Sequence, residues 1–431
     1  MRVSPRPRAF GFQGHGVVIY AAVCVAWCLF VTLLILRLGY PAAFHALGVP
    51  AQEHPFGDMR IVVDGIELAG RGQDVIGVDY LPRYYFPIRF PYPRTWLVFR
   101  HFGVTDAHTE ALAIVLGLAM VLHFGLLIAR TGNRAFTGLV LAAFACSPPV
   151  MLGLERGNTD LLVYLLVAGG CHALAGQSLK SQSAGAVLLF SAGALKFFPF
   201  ASVLGMIPGQ RLRRWWPLAT FIVAAVLWLV FERGDLMRIV SSPHASSDWA
   251  SFGSAVSANE LSRLFTRVTG VDLPTFVPGF LRWGGVVVLA LITRRQARLI
   301  GRDGASVEGL GRVEAAGFGA GAGVFAASFV LMRSYNYKFI FLALALPALC
   351  EWSRRKDQCG RTALLAVATL LLWVWSGLNG YLYLGVNIFV SWLCVGCVAS
   401  LLLAWVGQHA VIPPCLAGPA SPFPTAEKER Q

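Results

Sequence analysis

Uncharged apolar runs of membrane-crossing length recur along most of the chain. The first, residues 16–36, is long enough to cross a hydrocarbon core of about 30 Å, and it follows Arg2, Arg6 and Arg8. Because no small-residue cleavage site follows it, we predict a retained signal anchor with a cytoplasmic N-terminus. Further apolar segments lie at 109–129, 136–153, 161–175, 215–231, 276–293, 315–331, 339–350, 362–378 and 384–406.

The charges between these segments orient them. Short loops rich in Arg and Lys mark the cytoplasmic side of a membrane protein. Such loops occur at 130–134, 177–182, 211–214, 294–312 and 354–356. The long polar stretches 37–108 and 232–275 then lie outside, and the C-terminal residues 415–431 form a cytoplasmic polar tail.

One segment, 184–207, does not fit a single crossing because basic residues flank it on both sides. Lys196 lies near its middle, where a lysine costs about 2.5–3.5 kcal/mol on insertion, and Pro199 disfavours helix at the residue before it. A re-entrant hairpin resolves both conflicts, with arms at 184–195 and 197–207 that meet at Lys196. Irregular backbone at that depth requires a cavity or surrounding protein, so we expect the tip to face a polar cavity open to the outside.

These assignments predict an all-α fold, a polytopic transmembrane helix bundle of about ten full crossings plus one re-entrant hairpin. Residues 1–414 form a single transmembrane domain. The first outer loop is predicted to carry an interfacial helix, because apolar residues repeat at helical spacing after Gly57. They are Met59, Val62, Val63, Ile66 and Ala69.

Composition agrees with this fold and limits the function. The 431 residues are 56% hydrophobic and 13% charged, which is too few charges for a soluble domain. The net charge of +14 indicates cytoplasmic loops and anionic lipid head groups rather than nucleic acid. The nine cysteines lie mostly in apolar segments and are missing from both outer loops, so no disulfide framework is expected.

Five polar clusters fall on the predicted outer side. Ionisable residues next to or within apolar segments are costly and usually functional, and agreement on one side strengthens that interpretation. The clusters are Asp58-Met59-Arg60, Tyr92-Pro93-Arg94-Thr95-Trp96, the loop with Glu155, Arg156, Asn158 and Asp160, the single Lys196, and the stretch with Arg333, Tyr335, Tyr337 and Lys338.

Each cluster also has a purely structural interpretation. Asp58 suits a helix cap, with Asp64 and Glu67 on the solvated face of the same helix. Glu155 and Arg156 suit an ion pair in an interfacial turn.

The remaining clusters differ in how easily structure alone explains them. Asp160 suits a cap for the helix that follows it, while Arg333 and Lys338 suit lipid contact beside an aromatic belt. Lys196 is hardest to explain in this way, because snorkelling suits a residue near a helix end.

The residue types favour transfer of a group from a lipid phosphate. Arg and Lys beside a cavity neutralise a phosphate leaving group, and a carboxylate across the cavity takes the proton of an acceptor hydroxyl. A single base with direct displacement inverts an anomeric centre. The sequence has no P-loop, DxD or HExxH motif in a usable context.

Three stretches carry a resemblance to a known family. The first joins Gly57-Asp58-Met59-Arg60 to Tyr92-Pro93-Arg94-Thr95-Trp96, the second runs from Glu155 to Asp160, and the third is Leu195-Lys196-Phe197-Phe198-Pro199 with the later Arg333 to Lys338. Over residues 15–350 the chain thereby resembles the integral-membrane GT-C glycosyltransferases, in particular the family 87 polyprenyl-phosphate-mannose-dependent transferases. The resemblance implies a GT-C fold, a periplasm-facing site, an essential Asp in the first loop and a polyprenyl-phosphate-linked sugar donor.

The sequence thus predicts an inverting glycosyltransferase of a bacterial inner membrane. It would move a sugar, with mannose as the first candidate, from polyprenyl phosphate to a lipid or cell-envelope glycan acceptor at the periplasmic face. Asp58 is the predicted base, and no metal or other cofactor is expected because side chains supply the cations. The predicted substrate-binding residues are Arg60, Arg94, Glu155, Arg156, Asn158, Asp160, Lys196, Arg333, Tyr335, Tyr337 and Lys338.

Two other functions stay open. A transporter or flippase of lipid-linked sugar also uses intramembrane charges and a broken helix, although the sequence shows no duplicated halves. A ligase or polymerase of surface polysaccharide shares the outer-face chemistry and differs mainly in its acceptor.

Overall fold

The protein is described by a computed structural model over residues 14–76, 90–176, 178–209, 216–241, 251–302, 310–331, 334–355, 357–375 and 381–409. Within these residues the chain is built almost wholly from helices. The predicted all-α class is therefore confirmed.

The α-helices differ widely in length. In chain order they are α1 (Gly16–Leu38), α2 (Tyr40–Ala46), α3 (Gly57–Gly70), α4 (Thr109–Arg130), α5 (Ala135–Ala145), α6 (Pro148–Glu155), α7 (Asp160–Leu174), α8 (Leu179–Leu195), α9 (Trp216–Phe231), α10 (Arg233–Ser241), α11 (Ser254–Thr269), α12 (Val277–Arg302), α13 (Arg312–Leu331), α14 (Leu342–Arg354), α15 (Gln358–Trp375) and α16 (Tyr381–His409).

Tighter helices and one short strand pair complete the described elements. The 3-10 helices cover Arg94–Phe102, Asp106–His108, Phe198–Gly209 and Asn336–Phe341. Two strands of two residues each, β1 (Ser251–Phe252) and β2 (Ser334–Tyr335), pair antiparallel.

Five helices are long and apolar enough to cross a membrane, or up to seven spans if two bent helix pairs each count as one. The chain is therefore a multi-pass helical membrane protein. Helices occur at all ten predicted apolar segments, but ten full crossings are not confirmed. Two of those helices, α7 and α14, have 15 and 13 residues, so each is only about 20 Å long at 1.5 Å per residue.

The helical backbone is interrupted at Lys196, as predicted. Helix α8 ends at Leu195, Lys196 is extended with φ −152° and ψ 107°, and a 3-10 helix begins at Phe198. The two arms pack on each other, with the ring centroids of Phe190 and Phe200 5.8 Å apart. The break at Lys196 is confirmed, whereas entry of this hairpin into a membrane stays a prediction.

The Gly/Ala run of α13 lets neighbouring backbones approach it closely. A Cβ atom added at Gly323 would lie 2.7 Å from the carbonyl oxygen of Ala201, on the second arm of the hairpin, and one at Gly321 would lie 2.6 Å from that of Phe341. Small residues at helix interfaces permit such contacts. The run therefore serves close helix packing.

The bundle has a second polar end, remote from the hairpin tip. There Arg134 pairs with Glu351, which also binds Arg354 at 2.8 Å and Arg355 at 2.9 Å. The side chain of Asn133 accepts a hydrogen bond from the backbone of α1 at 2.8 Å. The structure thus gathers two of the predicted cytoplasmic loops at one end.

Helix α3 forms where the apolar spacing predicted it, and its five apolar positions are all buried. The prediction for Asp64 was wrong, because this residue is 5% exposed and does not lie on a solvated face. Phe90 packs against the same helix, within 2.3 Å of the point where a Cβ atom of Gly65 would lie. Glu67 pairs with Arg71 near the surface.

We expect Gly321→Ala to lower the free energy of unfolding by about 1–3 kcal/mol, because the new methyl group meets backbone that has to shift. Gly284→Ala is the matched control, since nothing lies within 4 Å of a Cβ atom there. Thermal unfolding in detergent measures both variants. Equal melting temperatures for the two variants would contradict the close packing of α13.

Candidate functional site

The start of α3 docks on the loop that joins α6 to α7. The backbone N–H of Phe56 donates to the carbonyl of Glu155 at 2.8 Å, and that of Asp58 donates to the carbonyl of Arg156 at 3.0 Å. These N–H groups have no partner inside their own helix. Satisfying them across the chain places Asp58 beside the loop of residues 155–160.

The Asp58 carboxylate binds across the chain to that loop. One of its oxygens accepts a hydrogen bond from Nδ2 of Asn158, and the other lies 4.0 Å from Nη1 of Arg156. The N-cap position of α3 is Phe56, with φ 64°. The capping interpretation of Asp58 therefore gains no support from the geometry.

Asn158 connects the acidic and the basic side of the site. Its Oδ1 accepts hydrogen bonds from Nζ of Lys196 at 3.3 Å and from the backbone N–H of Asp160 at 2.8 Å. Because Oδ1 faces two donors, Nδ2 is the atom directed at Asp58. The amide orientation is thereby fixed, and Asp58 has to be an acceptor on that side.

Asp160 lies between two lysines. Its Oδ1 is 2.8 Å from Nζ of Lys196, and its Oδ2 is 2.5 Å from Nζ of Lys338. The Asp160 side chain is fully buried. Although Asp160 is the first residue of α7, its carboxylate binds these ammonium groups, which differs from the predicted capping role.

Aromatic groups surround the two lysines. Nζ of Lys338 lies 4.0 Å from the ring centroid of Phe198, and Nζ of Lys196 lies 5.3 Å from that of Tyr92. The indole Nε1 of Trp96 donates to the carbonyl of Leu195 at 3.0 Å, at the end of the first hairpin arm. Sequence reasoning took Arg94 from this stretch and missed its two aromatic residues, although the spacing Tyr-Pro-Arg-x-Trp pointed to them.

Glu155 and Arg156 form the ion pair that the sequence allowed, with Oε2 and Nε 3.3 Å apart. Oε1 of Glu155 accepts hydrogen bonds from the hydroxyl of Tyr40 at 3.0 Å and from the backbone of Gln52 at 3.2 Å. Burial and the nearby Glu155 carboxylate raise the pKa of Tyr40, so this hydroxyl stays a donor. Nη2 of Arg156 also binds the carbonyl of Pro50 at 3.1 Å.

The cluster has a fully buried inner part and a partly accessible rim. The side chains of Asp160 and Lys338 are 0% and 1% exposed. Those of Asp58, Arg156 and Lys196 are 13%, 11% and 10% exposed. Three carboxylates, including Glu155, therefore balance three cations. The partly accessible groups are the carboxylate of Asp58 and the cations of Arg156 and Lys196.

Two predicted substrate-binding arginines are held away from this cluster. Arg60 pairs with Asp106 at 3.4 Å and with Glu110 at 3.3 Å. Arg94 pairs with Asp235, and it lies 3.5 Å from Asp74 with its side chain 47% exposed. Surface ion pairs therefore occupy both guanidinium groups.

The stretch before Lys338 joins the site only in part. Tyr337 packs into an apolar cluster with Phe44, Met151 and Leu152. The backbone of Tyr335 pairs with Ser251 in the short ladder. Arg333 lies outside the described residues, so its predicted contact with phosphate stays a prediction.

Two buried neutral oxygens flank the cluster in sequence. Oγ1 of Thr159 and Oδ1 of Asn336 have no hydrogen-bond partner within the described part of the chain. Over the same residues, no group of three or more His, Cys, Asp or Glu side chains is placed to hold a metal ion.

The chain matches no protein-family model, no curated protein and no solved structure.

We expect Asp160→Asn to lower the free energy of unfolding by about 3–5 kcal/mol, because it leaves buried ammonium charge without a carboxylate. Unfolding by heat or denaturant in detergent measures the loss. Asp106→Asn is the control, since its side chain is 44% exposed and a surface pair contributes at most about 1 kcal/mol. Equal stability of the two variants would argue against the buried ion pairs of Asp160 with Lys196 and Lys338.

Proposed function

We propose that the protein is an inverting glycosyltransferase that moves a sugar from a polyprenyl-phosphate donor to a lipid or cell-envelope glycan acceptor. One observation carries the proposal, namely an aspartate at the rim of a buried charge cluster, held as an acceptor by a fixed amide. Arg156 lies 4.0 Å from its carboxylate, and Lys196 binds the same amide. A base next to phosphate-binding cations is the arrangement that this reaction needs.

The proposed step is a single displacement at the anomeric carbon. Asp58 takes the proton of the acceptor hydroxyl while the hydroxyl oxygen forms a bond to that carbon. The bond between the carbon and the phosphate oxygen breaks, and its electron pair leaves with the polyprenyl phosphate. Attack from the face opposite the phosphate inverts the anomeric configuration.

The rim cations are the proposed contacts of the phosphate. Arg156 and Lys196 are the cations whose side chains retain some exposure, and Arg suits bidentate binding of phosphate oxygens. The buried carboxylate of Asp160 holds Lys196 and Lys338 in place. Because Lys338 is buried, its proposed effect on the phosphate is through its charge and not through direct contact. Arg333 remains a further proposed contact.

We further propose a GT-C-like arrangement of about ten crossings in a bacterial inner membrane, with the site facing the periplasm and both termini in the cytoplasm. The position of the cluster opposite the basic end of Arg134, Arg354 and Arg355 supports this orientation. Mannose is the first donor sugar to test.

Asp58→Asn is expected to lower the rate of sugar transfer by about 10²–10⁴-fold, because the amide no longer accepts the proton. The assay follows label from polyprenyl-phosphate mannose to an envelope lipid extract, using purified protein in nanodiscs. Glu110→Gln, an exposed change in the same region, is the control and should keep full activity. Nuclear magnetic resonance of the product should show the inverted anomer.

The same assay separates the alternatives. Equal transfer by Asp58→Asn and the unmodified protein would remove the base role. Absence of transfer from any polyprenyl-phosphate sugar, together with gradient-dependent movement of labelled lipid across the bilayer, would favour the transporter.

Asn158→Ala is expected to lower kcat by about 10²-fold with a smaller change in the donor KM, because a misplaced base loses its alignment with the acceptor. An unchanged kcat would assign Asn158 a purely structural role.

A further inference from the structure

Helix α11 carries a stripe of exposed apolar side chains. Leu261, Leu264, Phe265 and Val268 follow the spacing i, i+3, i+4 and i+7, which places them on one face of a helix. Their exposed fractions are 46%, 41%, 44% and 77%. Nothing in the described protein covers this face.

The opposite face of the same turns is basic. Arg263 and Arg267 are four residues apart and lie on the far side of the helix from the apolar stripe. Both are exposed, and Arg263 also pairs with Glu260 at 2.7 Å. With 16 residues, α11 is not one of the helices long and apolar enough to cross a membrane.

The apolar stripe continues into a candidate membrane span. After α11 the exposed apolar side chains continue with Val271, Phe276, Phe280 and Trp283, which are 58%, 72%, 75% and 51% exposed. The last two belong to α12, a candidate span. Because lipid covers the exposed side chains of a spanning helix, the surface that adjoins α12 faces lipid as well.

We propose that α11 lies in the plane of the membrane surface. Its apolar stripe would be buried about 5–10 Å into the boundary between head groups and acyl chains, and its arginines would face the head groups and water. A lipid surface is the fitting partner because the stripe is apolar, the opposite face is cationic and the neighbouring surface belongs to a membrane span. This inference does not depend on the proposed reaction.

The inference ties the membrane surface to the candidate site. Strand β1 comes directly before α11, and it pairs with β2, which directly precedes the 3-10 helix of Lys338. Ser254 donates to the carbonyl of Val330 at 3.1 Å, and Arg282 of α12 donates to the same carbonyl at 2.8 Å. Lipid contact of α11 therefore holds this part of the second loop beside the segment that carries Lys338.

The test is photo-crosslinking in vesicles of phosphatidylethanolamine and phosphatidylglycerol. The photoreactive residue p-benzoylphenylalanine replaces Phe265, Val268 or Arg267 in the full chain, and mass spectrometry identifies each adduct. We expect lipid adducts at positions 265 and 268. We expect none at position 267, which is adjacent in sequence but on the other side of the helix.

Two results would overturn the proposal. Lipid adducts at all three positions would show a helix surrounded by lipid. Protein adducts, or no adducts, at 265 and 268 would show that lipid does not cover the stripe. Thermal unfolding confirms that each variant is folded, and Leu261 is a further position on the stripe if one of the others does not fold.

Discussion

The shared carboxylate of Asp160 is the interaction on which the arrangement of the site depends. It binds two ammonium groups from different parts of the chain, one at the hairpin tip and one ahead of α14. Interactions between charges are strong in a low-dielectric interior, and an unpaired buried charge is costly. The start of α7, Lys196 and Lys338 therefore have to stay together, and Asn158 extends the same network to Asp58.

This network has two layers, one fully buried and one partly accessible. The pair of Asp160 and Lys338 is fully buried, and the Asp160 carboxylate holds the ammonium groups of both lysines. Lys196 belongs to both layers, because its ammonium binds Asp160 while part of its side chain stays accessible. A preorganised site of this kind needs little rearrangement when a charged ligand arrives.

Local sequence patterns predicted the helices and the polar side of the bundle. The period of the apolar residues identified α3, and the clash of Lys196 and Pro199 with a helix identified the break. Which charged side chains pair with each other was not predictable, because pairing depends on distances between elements that are far apart in sequence. Arg60 pairs with Asp106 and Glu110, and Asp64 is buried; only the folded course of the chain determines both. The number of crossings stays a prediction for a related reason, since α5 and α6 bend by 54° within one apolar run.

The long reach of the Asp160–Lys338 pair, 178 residues apart, has a consequence for biosynthesis. Chains are made from the N-terminus, so Asp58, Glu155, Arg156, Asp160 and Lys196 are all present before Lys338. Those five groups carry an excess of one negative charge, and the six are balanced only when the segment before α14 arrives. The nascent bundle therefore stays electrostatically incomplete until late in synthesis, and a chain that stops before residue 338 lacks the cation that completes its core.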